Sequence, residues 1–137
     1  TGAAEAEALI QENRERWHGA MGKGGFVEGV IRMITALEDS DHAVDRDALF
    51  RDERLMASNE RFKTLTKREF LKIAGEQARI LQIDEDRALA TLATLIAAPE
   101  ERKAALALAR KILMPGRGGS DRQKAVLSSI GRALQMA

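Results

Sequence analysis

The sequence predicts an all-α fold, a compact bundle of about seven short helices, and three observations support this prediction. Apolar residues make up 45% of the 137 positions and recur at spacings of three and four, as on one face of a helix. Alanine is the commonest of them and aromatic residues are only 4%, which favours closely packed helices over sheets. The breaks between periodic segments also carry helix-capping residues. The composition therefore argues against an all-β domain.

The predicted organisation is an N-terminal helical arm, residues 1–23, followed by a helical domain, residues 24–137. The first helix runs from about Ala3 to Gly19 and is charged over most of its surface. Its few apolar anchors are Leu9, Ile10 and Trp17. So few anchors do not specify what this helix packs against. The chain's own core, a second copy and another domain all stay open as its partner.

The second and third predicted helices flank an acidic loop. The second runs from about Gly25 to Leu37 and carries apolar residues at the spacing of a buried stripe. The stripe consists of Phe26, Val30, Met33, Ile34 and Leu37. The third runs from about Asp45, the predicted N-cap, to Ser58. We expect the second helix to belong to the core.

The fourth and fifth predicted helices have explicit N-terminal signals. Thr66 and Glu69 have the spacing of a capping box, which predicts that a helix begins there. Asp84 is the predicted N-cap of the fifth helix, which runs from about Glu85 to Ala97. These signals predict where the fourth and fifth helices begin.

The last two predicted helices form a unit that resembles an earlier one. Pro99 opens the sixth helix, which ends near Leu113, and Ser120 caps the seventh. Earlier in the chain, one helix ends at Leu37 and the next is capped by Asp45, at nearly the same separation. This similarity predicts a pseudo-repeat of two helix–loop–helix units, although chance would also produce it in an all-helical chain.

Missing residue types and motifs exclude several kinds of chemistry. The chain has no cysteine, which excludes disulfides, zinc fingers, iron–sulfur sites and cysteine nucleophiles. No serine lies in a nucleophile elbow, and the glycine-rich stretch 116–119 lacks the ending of a P-loop. We therefore predict no enzymatic activity. No apolar run approaches the roughly 18 residues of a membrane span, and the cytoplasm is the expected location.

The acidic loop, residues 38–47, is the best candidate for a metal site. It holds five carboxylates, and Ca²⁺ or Mg²⁺, the cofactors considered, would take oxygen ligands converging from such a loop. The candidate ligands are Asp39, Asp41, Asp45 and Asp47. The loop is not an EF-hand, because Val44 and Phe50 stand where glycine and glutamate are required. Alternatively, the carboxylates cap a helix and solvate a turn.

Charge is unevenly distributed along the chain. Residues 99–137 contain eight basic and three acidic residues, whereas the net charge of the whole chain is +1. A candidate patch for an anionic partner consists of Arg110, Lys111, Arg117 and Arg122. Nucleic acid is not favoured as that partner, because this segment has no aromatic residue and no recognisable helix-turn-helix. An electrostatic match to the acidic part of the same chain is the alternative.

Several segments resemble a known family. An Asp-rich turn with Val44 follows an apolar helix, and Leu-Thr-Lys-Arg-Glu-Phe at 65–70 precedes the Leu-Gln-Ile-Asp-Glu-Asp-Arg-Ala-Leu turn at 81–89. This layout resembles the TerB-like all-helical domain of tellurite-resistance proteins. Gly24-Gly25 and Ile83-Asp84-Glu85 are similar to the C-terminal region of uncharacterised proteins related to polyhydroxyalkanoate synthases. The resemblance covers about 24–134.

The resemblance implies a seven-helix bundle whose two helix–loop–helix units bind a divalent cation through acidic residues. Asp41, Asp45 and Asp47 fall in the first such turn. The second turn keeps Asp121 but has Arg117, whose charge would repel a cation. The resemblance also implies that any catalytic domain lies elsewhere in a longer protein.

The function predicted from the sequence is that of a non-catalytic accessory or protein-interaction module. We expect it to be the C-terminal domain of a larger bacterial protein, where it binds another protein or its parent chain. The alternative is a divalent-cation sensor of the tellurite-resistance type that uses the loop 38–47. A third hypothesis is a binder of anionic ligands. The sequence leaves the oligomeric state open.

Overall fold

Ten helices and no strand make up the part of the chain that the computed structural model describes, residues 2–38, 45–113 and 120–135. They are α1 (Gly2–Ala20), α2 (Phe26–Leu37), α3 (Arg46–Phe50), α4 (Glu53–Ser58), α5 (Glu60–Thr64), α6 (Lys67–Ile83), α7 (Glu85–Ala90), α8 (Leu92–Leu95), α9 (Pro99–Leu113) and α10 (Asp121–Ala133). The predicted all-α class is confirmed.

Helix α2 lies at the centre of the bundle and contacts α6, α7, α8, α9 and α10. Its predicted apolar stripe is buried, but so are nearly all its other residues. A helix that is apolar on almost every side has to be surrounded by others. Phenylalanine rings from three other helices extend this core around Phe26. The centroid of the Phe26 ring lies 6.4 Å from that of the Phe62 ring. The bundle is therefore built around α2.

Arg32 is a charged residue in this largely apolar helix, and its side chain is completely buried. Its Nε donates to Oε1 of Gln77 at 2.7 Å, and its Nη1 donates to the carbonyl oxygen of Ala88 and to Oγ1 of Thr91, both at 2.9 Å. Burial lowers the pKa of Arg32 to about 10, against the opposing effect of Glu28. The guanidinium is thus still charged at neutral pH, and it connects α2 with α6 and α7.

The predicted count of about seven helices is wrong because the segment from Asp45 to Ser58 is interrupted. The carboxylate of Asp52 accepts hydrogen bonds from the backbone N–H groups of the next turn and starts α4 as a separate helix. Asn59, whose backbone is extended, then ends α4 and caps the unpredicted helix α5. Short polar side chains compete here with helix continuation.

The predicted helix from Glu85 to Ala97 is also interrupted, at Thr91. The hydroxyl of Thr91 lies 3.0 Å from the carbonyl oxygens of both Arg87 and Ala88 and donates back to them. It also accepts the hydrogen bond from Arg32. The break between α7 and α8 therefore supplies a polar partner for the buried guanidinium.

The predicted caps are confirmed. Thr66 and Ser120 each form a reciprocal capping box with the residue three positions later, and the side chains of Asp45 and Asp84 cap α3 and α7. The helix that ends at Leu37 also ends as predicted. The pseudo-repeat itself stays a prediction.

Glu28 secures the start of α2. Its Oε1 accepts a hydrogen bond from the backbone N–H of Gly25 at 2.8 Å and one from Nη1 of Arg61 at 2.6 Å. Burial raises the pKa of Glu28, but these hydrogen bonds outweigh it and hold the pKa below the ordinary value of 4.5. The carboxylate is therefore stabilised in its charged form, and it joins α2 to α5.

None of the helices in the described ranges has the length and apolar character that crossing a membrane would require.

Replacing Arg32 with methionine is expected to lower the free energy of unfolding by about 2–4 kcal/mol, because the buried side chain of Gln77 loses its partner. Urea unfolding measures this loss. Adding Gln77→Leu should recover part of it, because both polar partners are then removed. Additive losses in the double variant would contradict this account.

Glu28 is expected to make stability dependent on pH in the acid range. Because its folded pKa lies below that of the unfolded chain, its contribution is full above about pH 4.5 and is lost as the pH falls through the folded pKa. Urea unfolding between neutral pH and pH 3 should show a flatter profile for Glu28→Gln than for the parent. The exposed Glu101→Gln is the control, and equal slopes for parent and Glu28→Gln would count against the assignment.

Candidate functional site

Among the described residues, helix α1 is attached to the bundle near its C-terminal end alone. Residues 2–16 are all exposed. Trp17 is half-buried and packs against a small cluster in which Met21, Ile80 and Ala88 are buried. The rest of α1 therefore lies alongside the bundle without burying a side chain in it.

A polar contact lies beside this attachment. Nε2 of His18 is 3.9 Å from Oδ2 of Asp84, which also caps α7. Asn13 and Arg16 lie further back on α1, next to an earlier part of α6 that includes Lys72. On both helices the groove residues precede the residues of the attachment, so that α1 and α6 run in the same general direction.

A groove of about 420 Å³ separates the two helices before they meet. Its lining residues are Asn13, Arg16 and Trp17 on α1 and Lys72, Gly75, Glu76 and Arg79 on α6. Nε1 of Trp17 donates to Oδ1 of Asn13 at 3.1 Å, and the Arg16 guanidinium carbon lies 5.5 Å from the Trp17 ring centroid. These contacts orient the indole at the base of the groove.

Gly75 leaves the α6 wall of the groove without a side chain. A glycine inside a helix costs about 1 kcal/mol relative to alanine. A Cβ built on Gly75 would meet no atom within 4 Å, whereas one built on Gly29 would lie 2.6 Å from Cγ1 of Ile96. Packing within the chain thus requires a glycine at Gly29 and does not require one at Gly75. The space over Gly75 is open to an approaching molecule.

The groove is basic. Its lining contains the three basic side chains of Arg16, Lys72 and Arg79 and the single acidic side chain of Glu76. Lys72 and Arg79 are exposed and lie two helical turns apart on α6. A surface of this kind attracts anionic groups, and the tryptophan adds apolar contact area. The arrangement is suited to binding an acidic molecule with an apolar side chain.

The candidate metal ligands have other partners or lie outside the described residues. Asp45 accepts a hydrogen bond from the backbone N–H of Asp47 as the N-cap of α3, and Oδ1 of Asp47 is 3.2 Å from Nζ of Lys67. Asp39 and Asp41 are outside the described ranges. Within those ranges, no group of three or more acidic, histidine or cysteine side chains is placed to hold a metal. Binding of Ca²⁺ or Mg²⁺ by the loop stays a prediction.

Three residues of the predicted anionic-partner patch lie in the described ranges, and the patch itself stays a prediction. Arg110 and Lys111 are exposed in the last turn of α9, and Arg117 lies outside the described ranges. Nη1 of Arg122 donates to the carbonyl oxygen of Ala36, in the last turn of α2, and to that of Glu38, which follows α2. This arginine therefore caps a helix C-terminus within the chain.

The sequence predicts Trp17 as an apolar anchor of α1, but it does not predict the groove beside this residue. The signal was Gly75, a helix-breaking residue inside the strongly periodic segment that became α6. Its meaning depended on knowing that α1 lies opposite. The spacing along one helix does not show which helix it faces.

Comparison with known protein families, curated proteins and solved structures gives no match to this chain.

Replacing Gly75 with alanine is expected to raise the free energy of unfolding by about 0.5–1 kcal/mol, because the new methyl group meets no atom and the helix gains propensity. Gly29→Ala is the matched comparison and should be destabilising, since its Cβ would collide with Ile96. Urea unfolding of both variants checks this. A destabilised Gly75→Ala would show that packing within the chain requires the glycine.

Proposed function

We propose that this chain is a non-catalytic protein-interaction module whose groove between α1 and α6 binds an acidic helical segment of a protein. The observation that carries the proposal is the open wall at Gly75, flanked by Lys72 and Arg79 and facing Trp17. A small residue between two basic ones leaves room for an apolar side chain with acidic neighbours.

The shape of the groove favours a helix as the ligand. Two helices running side by side leave a channel along their length, and a third helix in that channel contacts both. A residue without a side chain allows the backbones to approach closely. The ligand then buries an apolar face against Trp17 and Gly75, and its acidic residues meet the basic rim.

The electrostatics favour an acidic ligand over a basic one. A basic segment would face Arg16, Lys72 and Arg79 with like charges, and such contacts weaken binding to the wrong partner. The three basic side chains also increase the rate of encounter with an acidic segment at low salt. Specificity in this proposal comes from charge, and affinity comes from the apolar contact.

The wider setting of the proposal rests on the resemblance stated above. On that resemblance we propose that the chain is a TerB-like accessory domain of a larger bacterial protein related to polyhydroxyalkanoate synthases. The cytoplasm is its proposed location. The binding groove does not depend on that setting. Neither a catalytic step nor a cofactor forms part of the proposal.

A peptide titration tests the proposed function. The probe is a labelled alanine-based helical peptide with a leucine flanked by a glutamate about one turn away on either side. We expect it to bind and to change the fluorescence of Trp17, the only tryptophan in the chain. Lys72→Glu with Arg79→Glu should weaken binding at least about tenfold, because attraction becomes repulsion.

The matched control carries the same change of charge elsewhere. Lys103 and Lys124 are exposed on α9 and α10, and Lys103→Glu with Lys124→Glu should bind the peptide nearly as the parent does. A peptide with lysine in place of its glutamates should bind far more weakly. Equal binding by the groove variant and the parent would refute the proposed function.

A further inference from the structure

We propose that the segment that binds in the groove is the acidic first half of α1 from a second copy of this chain. This inference rests on the proposed function, because it names the partner of the same groove. Two copies would then exchange these halves, and each copy would fill the groove of the other.

The first half of α1 has the composition that the groove requires. Residues 2–12 contain three glutamates and no basic residue. Leu9 and Ile10 are 66% and 57% exposed, and within the described ranges they are the large apolar residues that lie exposed. This half of the helix therefore presents uncovered apolar area next to negative charge, and no residue of the described ranges covers it.

The spacing of the acidic half matches that of the groove. Glu5, Leu9 and Glu12 follow one another at intervals of four and three, which places them on one face of α1. On α6, Lys72, Gly75 and Arg79 follow at intervals of three and four. When the two helices run antiparallel, the intervals coincide and all three pairs lie opposite each other.

In this register Glu12 of the second copy faces Lys72, its Leu9 lies over Gly75, and its Glu5 faces Arg79. The two glutamates and the two basic residues are each seven positions apart, or about 10 Å along a helix. Both ion pairs can therefore form at the same time. The leucine fills the space that the missing side chain of Gly75 leaves.

The directions of the helices allow the exchange to be symmetric. Because α1 and α6 run in the same direction, a helix antiparallel to α6 is also antiparallel to the α1 beside it. The acidic half and the half that lines the groove lie at opposite ends of α1. A two-fold axis between the two α1 helices thus fills both grooves in the same way and closes the assembly at two copies.

Sedimentation equilibrium on the full chain tests this inference. The mass should rise with concentration from that of the 15.0 kDa chain towards twice that value, and added salt should raise the dissociation constant. Glu5→Lys with Glu12→Lys, and separately Lys72→Glu with Arg79→Glu, should each raise the dissociation constant at least about tenfold. Circular dichroism checks that both variants are folded.

Mixing the two variants provides the decisive observation. In a mixed pair, the first half of α1 that carries Glu5→Lys and Glu12→Lys is basic, and it meets the acidic groove of the Lys72→Glu, Arg79→Glu variant. The unchanged acidic half of the second variant meets the unchanged basic groove of the first. We therefore expect the mixture to form a one-to-one dimer where each variant alone is monomeric. Failure of the mixture to associate, or a parent chain that is monomeric at millimolar concentration, would overturn the inference.

Gly75→Leu separates a groove contact from a general effect of the substitution. Gly131, on α10, also has open space around a built Cβ, so that Gly131→Leu is the matched control and should dimerise as the parent does. Gly75→Leu should be monomeric, and a dimer of unchanged affinity would overturn the inference. A monomeric parent chain that still binds the acidic peptide would overturn the inference and leave the proposed function standing.

Discussion

The buried guanidinium of Arg32 is the constraint on which the arrangement of this bundle depends. A charge inside an apolar helix has to be satisfied from several directions, and the partners come from Gln77 on α6, the carbonyl of Ala88 on α7 and Thr91 after it. These contacts fix α6 and α7 relative to α2. They also fix Ile80 and Ala88, the residues on which α1 rests. The position of the groove therefore depends on the helices that this buried charge holds together.

Basic residues have two different roles in this molecule. Some of them close helix ends inside the bundle: Arg102 donates to the carbonyl oxygens of Ile96, Ala93 and Leu134, and Arg54 donates to that of Lys111. Such arginines are bound to their own chain and contribute little to attracting a partner. Lys72 and Arg79 are exposed beside an open groove and have the second role. A count of charges along the sequence does not distinguish these roles.

The sequence predicts the helices of the fold better than it predicts which of their surfaces form a binding site. The caps and the core stripe of α2 follow from local hydrogen bonding and periodicity, and these were correctly predicted. The breaks at Asp52 and Thr91 were missed, because each depends on a polar side chain competing with the helix, and that of Thr91 also serves Arg32 from a distant helix. The groove was missed because Trp17 and Gly75 lie far apart in the chain. The sequence predicts Asp45 and Asp47 as metal ligands, and in the structure their contacts include a backbone N–H and Lys67.

Cross-linking between two singly substituted chains tests the central claim most directly, because the parent chain has no cysteine. One chain carries Leu9→Cys and the other carries Gly75→Cys, and the mixture is exposed to mild oxidation. We expect a disulfide-linked one-to-one dimer in high yield, since the two residues face each other in the proposed register. Replacing the second chain with Gly131→Cys should abolish the link. Equal cross-linking of Leu9→Cys to both chains, or to neither, would contradict the account.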